Sequence, residues 1–316
     1  MIFLNKSKFR QKMYNKNMKI IDIHIHGGYG INFNTANKDE IIFLLKKLKE
    51  RNIIGICPTL VGDKKENIQK QLKIFDEIKQ EQLNNKTNGA FIIGAHLEGS
   101  FLNPKKPGIQ SPDVFLEPTI ENFKNLVGEY ENIIKIVTLA PELDKENKLT
   151  TYLENKNIRA HAGHTLTENS GKTTGTTHHF NAMPNISHRG ENLALDTLFN
   201  GEIYCEIIAD LIHVSKNMLK LFFKIKNKDK IILVSDALPC AKSDCDIIFC
   251  GKKISKEGKG QDGTLAGSIM LLDEIVKNIL DLNLLKIEDL KKALLDNPIE
   301  HLKLNENELK MLENKA

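Results

Sequence analysis

The sequence predicts a (β/α)₈ barrel. Three observations indicate this fold. Apolar, β-branched runs alternate with amphipathic helical stretches along almost the whole chain, the runs number eight, and polar residues stand where several of these runs end. In such barrels, residues at the carboxyl ends of the strands form the active site, and the alternating strands and helices form the scaffold.

Each predicted element follows from its periodicity. Helix 39–51 places Ile41, Leu44, Leu45 and Leu48 on one face, with lysines opposite, and 64–80 repeats the pattern. After the eighth strand, residues 245–256 form a predicted β-hairpin insert, and a helix is expected at 270–280. The strand candidates are 20–26, 53–58, 91–97, 133–139, 158–164, 175–179, 203–210 and 231–236.

Polar residues at or just after strand ends favour the barrel over a doubly wound open sheet. The open sheet usually carries a phosphate-binding glycine pattern after its first strand, which Gly27-Gly28-Tyr29-Gly30 matches only weakly. The strand-end residues are His24, His26, Glu98, His164, His178, His213 and Asp236.

Composition excludes several classes of function. The 316 residues are 41% hydrophobic, with 45 Lys+Arg against 41 Asp+Glu for a net charge of +4. This small excess, spread along the chain, suits a small anionic substrate and does not favour nucleic acid. No apolar run approaches the length of a transmembrane span, so we expect no membrane association.

The cysteines and the chain start complete the general expectations. Five cysteines without a CxxC pair indicate free thiols and a cytoplasmic protein. Residues 1–17 show little periodicity and are predicted to be a flexible lead-in, followed by a single catalytic barrel domain over 18–316.

The stretch Asp22-Ile23-His24-Ile25-His26 is the first candidate for a metal site. In a strand, alternate side chains share a face, so His24 and His26 project together. Two adjacent imidazoles can bind one metal ion, although a solvent-facing pair on a strand tip remains the alternative.

A second candidate set combines a carboxylate with two imidazoles. Glu98 ends one predicted strand, and His164 and His178 end two strands that are expected to be neighbours. Three protein ligands that leave a position open are typical of catalytic zinc sites. By strand alternation, His161 and His179 should face away and serve in packing or support, and His301 on a late helix should be ordinary.

Asp236 ends a strongly apolar strand and is the candidate general base and acid. A carboxylate beside activated water can take its proton and later hand it to a leaving amine. A structural aspartate that caps the following turn is the alternative.

Several motifs together resemble those of the N-acetylglucosamine-6-phosphate deacetylase family, within the amidohydrolase superfamily of metal-dependent barrel hydrolases. They occur in the family's order over roughly residues 20–280, and the Asn-Ala-Met-Pro motif is particularly specific. The motifs are His96-Leu97-Glu98-Gly99, Leu139-Ala140-Pro141-Glu142, Ala162-Gly163-His164-Thr165, Asn181-Ala182-Met183-Pro184, Ile208-Ala209-Asp210 with His213-Val214, Val234-Ser235-Asp236-Ala237 and Gly263-Thr264-Leu265-Ala266-Gly267-Ser268.

The resemblance implies roles for particular residues. It makes Glu98, His164 and His178 the metal ligands and Asp236 the general base and acid. Arg189 would reach the phosphate of a substrate held by the neighbouring subunit of a homodimer, which suits the paired donors of a guanidinium. The residues that the resemblance places on the sugar are Asn181, Ala182, His213, Leu265, Ala266 and Gly267.

The sequence also departs from the family's pattern. Gln110 stands where relatives place a residue on the substrate carbonyl, and an amide can donate a hydrogen bond without carrying charge. The short spacing from His164 to His178 predicts a turn in place of a helix. We expect the family's small β-sandwich domain to be missing or vestigial, since little precedes residue 20 and little follows residue 300.

The favoured interpretation is hydrolysis of the N-acetyl group of N-acetylglucosamine 6-phosphate to glucosamine 6-phosphate and acetate, in amino-sugar catabolism or recycling. The alternatives are another amide hydrolase of the superfamily and a truncated, non-catalytic protein that binds a sugar phosphate. The cofactor is a divalent ion, one or two per subunit, and Zn, Fe, Mn and Co all accept these ligands. His24 and His26 would hold the second ion, bridged by Glu98.

Overall fold

Eight parallel strands form a nearly closed barrel in the computed structural model, which describes residues 18–314. The strands are hydrogen-bonded in chain order, β1 to β8. The predicted lead-in over 1–17 and the last two residues lie outside the described part of the chain. The strands are β1 (Ile20–Ile25), β2 (Ile53–Leu60), β3 (Ala95–Phe101), β4 (Ile134–Leu139), β5 (Arg159–Ala162), β6 (Gly175–Thr176), β7 (Tyr204–Ile207) and β8 (Ile231–Leu233).

Helices cover the outside of the barrel and follow most of the strands. They are α1 (Lys38–Lys49), α2 (Lys65–Leu83), α3 (Ile120–Val127), α4 (Lys148–Asn155), α5 (Leu193–Phe199), α6 (Lys216–Ile225), α7 (Leu272–Asp281), α8 (Ile287–Lys291), α9 (Asn297–Leu302) and α10 (Glu306–Asn314). Within residues 18–314, no helix is both long and apolar enough to cross a membrane.

Helix α1 shows how local sequence fixes an element. Asn37 caps its start by accepting from the backbone N–H groups of Asp39 and Glu40, and the Glu40 side chain returns a bond to the Asn37 backbone. Ile41 and Leu44 belong to the four-residue face that the helix buries against the barrel. The predicted periodicity of this helix is confirmed.

The barrel closes between β8 and β1 just beyond the regular strands. Asp236 N donates to His24 O at 2.9 Å, and His26 N donates to Ala237 O at 2.9 Å. These bonds bring the end of the last strand beside the histidines of the first. Side chains that point outward, such as Ile23 and Ile25, pack under the helices and are fully buried.

Five strands, β1, β5, β6, β7 and β8, end earlier than the sequence predicts, and three of them lead to residues of the candidate site. β5, β6 and β8 stop before His164, His178 and Asp236, because each of these residues has a positive φ, of 48°, 31° and 51°. A left-handed backbone cannot continue a strand. The alternation argument that oriented the two histidines therefore does not apply to them.

The connections carry the two remaining predicted features. Residues 163–174, between β5 and β6, contain no helix, as the short spacing predicts. Two antiparallel strands, β9 (Ile247–Phe249) and β10 (Lys252–Ile254), form the expected hairpin. Besides these, short pairings of Gly27–Gly28 with Ile31–Asn32 and of Phe91–Ile92 with β2 complete the sheet structure of residues 18–314, and no β-sandwich accompanies the barrel there.

Candidate metal centre

Glu98, His164 and His178 converge at the carboxyl end of the barrel. Glu98 Oε1 lies 2.9 Å from His178 Nε2 and 3.3 Å from His164 Nε2, and the two Nε2 atoms are 3.1 Å apart. All three side chains are buried. One carboxylate oxygen and two imidazole nitrogens that face one point form a set suited to a divalent cation.

His24, His26 and Asp236 form a second set directly beside the first. Asp236 Oδ1 lies 3.3 Å from His24 Nε2 and 3.2 Å from His26 Nε2. Glu98 reaches this set as well, since its Oε2 lies 3.3 Å from His26 Nε2. Glu98 therefore stands between the two sets, where a bridging carboxylate would lie.

The ligand atoms of these two sets are better suited to binding a cation than to hydrogen bonding with each other. Asp236 Oδ1 is buried and makes no hydrogen bond, although two imidazole nitrogens are within 3.3 Å. A buried carboxylate oxygen without a donor is costly unless a positive charge compensates it. The residues present therefore fit a divalent ion at Glu98, His164 and His178. The imidazoles of His24 and His26 are suitable ligands for a second ion.

A third cluster, His24 with His96 and Glu206, also brings ligand-type atoms together, but the nitrogens of His96 are already hydrogen-bonded elsewhere. His96 Nδ1 donates to Ile23 O at 3.1 Å, and its Nε2 pairs with Thr138 Oγ1 at 2.8 Å, so both ring nitrogens are engaged. Burial and the neighbouring His24 hold the pKa of His96 well below its usual value, which keeps the ring neutral.

Three residues of the candidate site have a strained backbone. His164, His178 and Asp236 all adopt positive φ, which costs a residue other than glycine about 1 kcal/mol or more. The surrounding hydrogen bonds hold these conformations in place. For example, His164 Nδ1 donates to Lys106 O at 2.8 Å, which turns its Nε2 toward Glu98.

A cavity of about 420 Å³ opens above these residues. Every residue that the sequence assigned to the substrate lines it, with the exception of Arg189. Arg189 is exposed in the loop after β6, where its Nε lies 3.2 Å from His188 Nε2, and it does not reach the cavity of its own chain. The lining residues from that set are Gln110, Asn181, Ala182, His213, Leu265, Ala266 and Gly267.

Gln110 contacts Glu98 instead of presenting a free amide to the cavity. Its Nε2 donates to Glu98 O at 2.8 Å and lies 3.3 Å from Glu98 Oε2, and its Oε1 accepts from Gly62 N at 2.9 Å. With its donor and acceptor both engaged, Gln110 holds the Glu98 carboxylate in place. The sequence alone gave no sign of this orientation.

Asp210 orients His213 at the cavity wall. His213 Nδ1 lies 2.7 Å from Asp210 Oδ2, which also accepts from Ser268 Oγ at 3.0 Å. Burial alone would lower the pKa of His213, but the hydrogen bond and charge of Asp210 raise it above the usual value. Asp210 therefore stabilises the protonated form of a ring that lines the cavity.

Two lysines in the cavity wall were missed by sequence reasoning. Lys105 and Lys106, in the loop after β3, line the cavity together with Phe249 of the hairpin. Lysines are frequent in this chain, so no local signal distinguished these two from surface residues. They add positive charge at the mouth of the site.

His301 is not the ordinary helix residue that the sequence suggested. It is buried on α9, and its Nε2 lies 2.7 Å from His161 Nε2. The prediction that His161 and His179 both face away from the barrel interior is wrong for His161, whose Nδ1 lies 3.1 Å from Glu206 Oε1 inside the barrel. His179 does face away, since its ring packs against Phe222 of α6.

A parallel barrel with a carboxylate, paired imidazoles and a facing aspartate at the carboxyl ends of its strands defines a metal-dependent hydrolase of the amidohydrolase class. No protein-family model matches the chain. N-acetylglucosamine-6-phosphate deacetylase of Bacillus subtilis (strain 168) is 34% identical over 267 residues, which cover 81% of this chain and 67% of that protein. The chain belongs to the N-acetylglucosamine-6-phosphate deacetylase family.

Other relatives and solved structures agree with this assignment. N-acetylgalactosamine-6-phosphate deacetylase of Escherichia coli O157:H7 is 27% identical over 83% of this chain and 71% of that protein. The crystal structure of N-acetylglucosamine-6-phosphate deacetylase from Thermotoga maritima has a TM-score of 0.78 and 25% identity, over 90% of this chain and 78% of that one. A mutant of the Mycobacterium smegmatis deacetylase, in complex with N-acetyl-D-glucosamine-6-phosphate, has a TM-score of 0.81 at 23% identity, over 90% and 77%, and shares the fold.

Proposed function

We propose that this chain hydrolyses the N-acetyl amide of N-acetylglucosamine 6-phosphate to glucosamine 6-phosphate and acetate. The observation that carries the proposal is the set of Glu98, His164 and His178 beneath a cavity that Asp236 also lines. The ligand set, the proton-transfer group and the space for a sugar occur together. Membership in the deacetylase family supports the same reaction.

Glu98, His164 and His178 would hold a divalent cation, and His24 with His26 would hold a second. When bound, such a cation supplies Lewis acidity toward a carbonyl oxygen and makes water easier to deprotonate. Zn, Fe, Mn and Co all accept these ligands.

The chain's own residues account for the proton transfers. Asp236 faces the cavity and is a carboxylate with one oxygen free of hydrogen bonds. It accepts a proton from water as the amide carbon is attacked and delivers that proton to the amine as the C–N bond breaks. His213, held by Asp210, donates to an oxygen of the substrate.

The charges around the cavity favour an anionic sugar. Lys105, Lys106 and the His213 imidazole line its wall, and ammonium groups bind phosphate oxygens well. Asn181 and the Leu265-Ala266-Gly267 turn would contact the sugar ring. These groups support a sugar phosphate over a neutral amide.

The proposed functional unit is a homodimer in which Arg189 reaches the phosphate in the neighbouring subunit. Its exposed position, outside the cavity of its own chain, supports this arrangement. Ile186 in the same loop and Ile212 after β7 are also exposed, and such apolar groups favour association. The five free thiols support a cytoplasmic location.

A substrate panel tests the proposal. Metal-loaded protein should release acetate from N-acetylglucosamine 6-phosphate far faster than from unphosphorylated N-acetylglucosamine, and it should not open dihydroorotate. Faster turnover of N-acetylgalactosamine 6-phosphate would assign that sugar as the substrate. Faster turnover of unphosphorylated amides would reject a sugar phosphate as the substrate. Binding without turnover of any member would identify a non-catalytic binding protein.

A further inference from the structure

Glu206 is a fully buried carboxylate inside the barrel, below the candidate metal centre. It lies on β7 and is 1% exposed. Its strand neighbours Cys205 and Ile207 are apolar and buried on the outer face, as strand alternation requires. An ionised carboxylate in such a position is costly unless specific partners compensate it.

The partners of Glu206 come from both candidate ligand sets. Its Oε2 accepts from His24 Nδ1 at 2.9 Å and from the backbone N of His178 at 3.1 Å. Its backbone O also accepts from His179 N at 2.7 Å. One side chain therefore connects β1 with the segment that carries His178.

The contact to His24 determines which ring nitrogen is free. Donation from Nδ1–H leaves the Nε2 lone pair of His24 directed toward the site, where it lies 3.3 Å from Asp236 Oδ1 and 3.5 Å from Glu98 Oε1. Carboxylates that accept from the far nitrogen of a ligating histidine fix its tautomer and ring orientation. His26 Nδ1 has no such partner among the described residues, so the orientation of this pair depends on His24.

The opposite side of Glu206 continues the network away from the site. Oε1 lies 3.1 Å from His161 Nδ1, and His161 Nε2 lies 2.7 Å from His301 Nε2 on α9. The carboxylate is thus flanked by imidazoles on both sides, one from a candidate metal ligand and one from a residue outside both ligand sets.

We propose that Glu206 is a positioning residue that holds His24 for a second cation and so determines whether the centre contains one metal ion or two. The inference rests on the proposed two-metal form of the site. It does not depend on the identity of the substrate, because it concerns only the orientation of His24.

Metal binding to Glu206→Gln and Glu206→Ala, compared with wild type, tests the inference. Protein is dialysed against a series of buffered Zn²⁺ concentrations, and bound zinc per chain is measured by mass spectrometry. Wild type should approach two ions. Because partners of metal ligands typically contribute 10- to 100-fold to affinity, the second dissociation constant should rise about 100-fold in the alanine variant, and less in the glutamine variant, which keeps an acceptor oxygen.

Two controls separate positioning from a general loss of structure. Glu308→Gln removes another buried carboxylate, at the far end of the barrel between Lys79 and Lys135, and should keep two ions despite lower stability. In a His24→Gln, His26→Asn background, adding Glu206→Ala should not change the affinity for the one remaining ion.

Three outcomes would overturn the inference. The first is a Glu206→Ala variant that binds both ions with wild-type affinity, and the second is a wild type that binds only one ion. The third is weaker binding of the remaining ion in the triple variant, which would show that Glu206 supports His178 instead of His24. None of these measurements uses substrate. Failure to release acetate with the ion counts as expected would therefore reject the proposed reaction and leave this inference standing.

Discussion

Replacing Gly99 with alanine should displace Glu98 and lower both the stability and the metal content of the protein. Gly99 follows Glu98 on β3, where the strand passes close to the backbone at the end of β2. A Cβ added at Gly99 would lie 1.9 Å from Gly62 N and 2.6 Å from Val61 C. The glycine is needed here for close backbone approach, since its φ is not positive.

The size of the effect follows from which atoms must move. Real Cβ contacts are essentially never under 3.0 Å, so the two backbones must separate by about 1 Å, and no side-chain rotation can relieve the overlap. Overpacking typically costs about 1–3 kcal/mol, and a backbone clash should lie at the upper end. The shift would also break the bond from Gly62 N to Gln110 Oε1, which holds the amide against Glu98.

Thermal unfolding and bound metal per chain are the assays. Gly201→Ala is the matched control, because a Cβ at Gly201 has no atom within 4 Å, and it should leave both quantities unchanged. A Gly99→Ala protein with the Tm and metal content of wild type would refute the reasoning that this close approach positions Glu98.

Two further predictions concern the cavity wall. Asp210→Asn should lower stability by about 2 kcal/mol, as expected for a hydrogen bond between charged groups. The pKa of Asp210 is lowered and that of His213 is raised, so the loss of stability should be largest between the folded pKa values of the two groups. It should shrink as pH rises through the folded pKa of His213, which Tm measurements across pH will show. A loss that does not depend on pH would contradict the ion pair. Lys105→Ala and Lys106→Ala should each raise KM for the phosphorylated substrate about tenfold with little change in kcat, whereas the exposed Lys86→Ala should not; equal KM increases for the unphosphorylated sugar would argue against phosphate binding.

The barrel and much of its site could be predicted because their signals are local in sequence. Apolar runs that alternate with amphipathic segments indicate strands and helices, and polar residues at strand ends indicate the rim. Glu98, His164 and His178 were identified in this way, and the structure brings their ligand atoms together. The sequence predicts that β5 runs to His164, whereas it ends at Ala162, because nothing in the sequence reveals the left-handed backbone of His164.

The features that were missed depend on contacts between distant segments. Glu206 is a single carboxylate in an apolar strand, and its significance comes from His24, 182 residues away. Gln110 was expected to face the substrate, but its orientation is set by Gly62 on another loop. The sequence predicts an ordinary role for His301, because a late amphipathic helix gives no indication that its histidine contacts His161 beneath the barrel.

The most direct test of the proposed chemistry is acetate release by metal-loaded wild type and by Asp236→Asn. Wild type should release acetate and glucosamine 6-phosphate in equal amounts and stop when the cation is removed. The variant keeps the shape of the side chain but cannot accept the proton, so its kcat should fall by about 10²- to 10⁴-fold, with the ion at Glu98, His164 and His178 retained. Loaded wild type without acetate release, or a variant within tenfold of the wild-type kcat, would contradict the assignment of Asp236 and of the site.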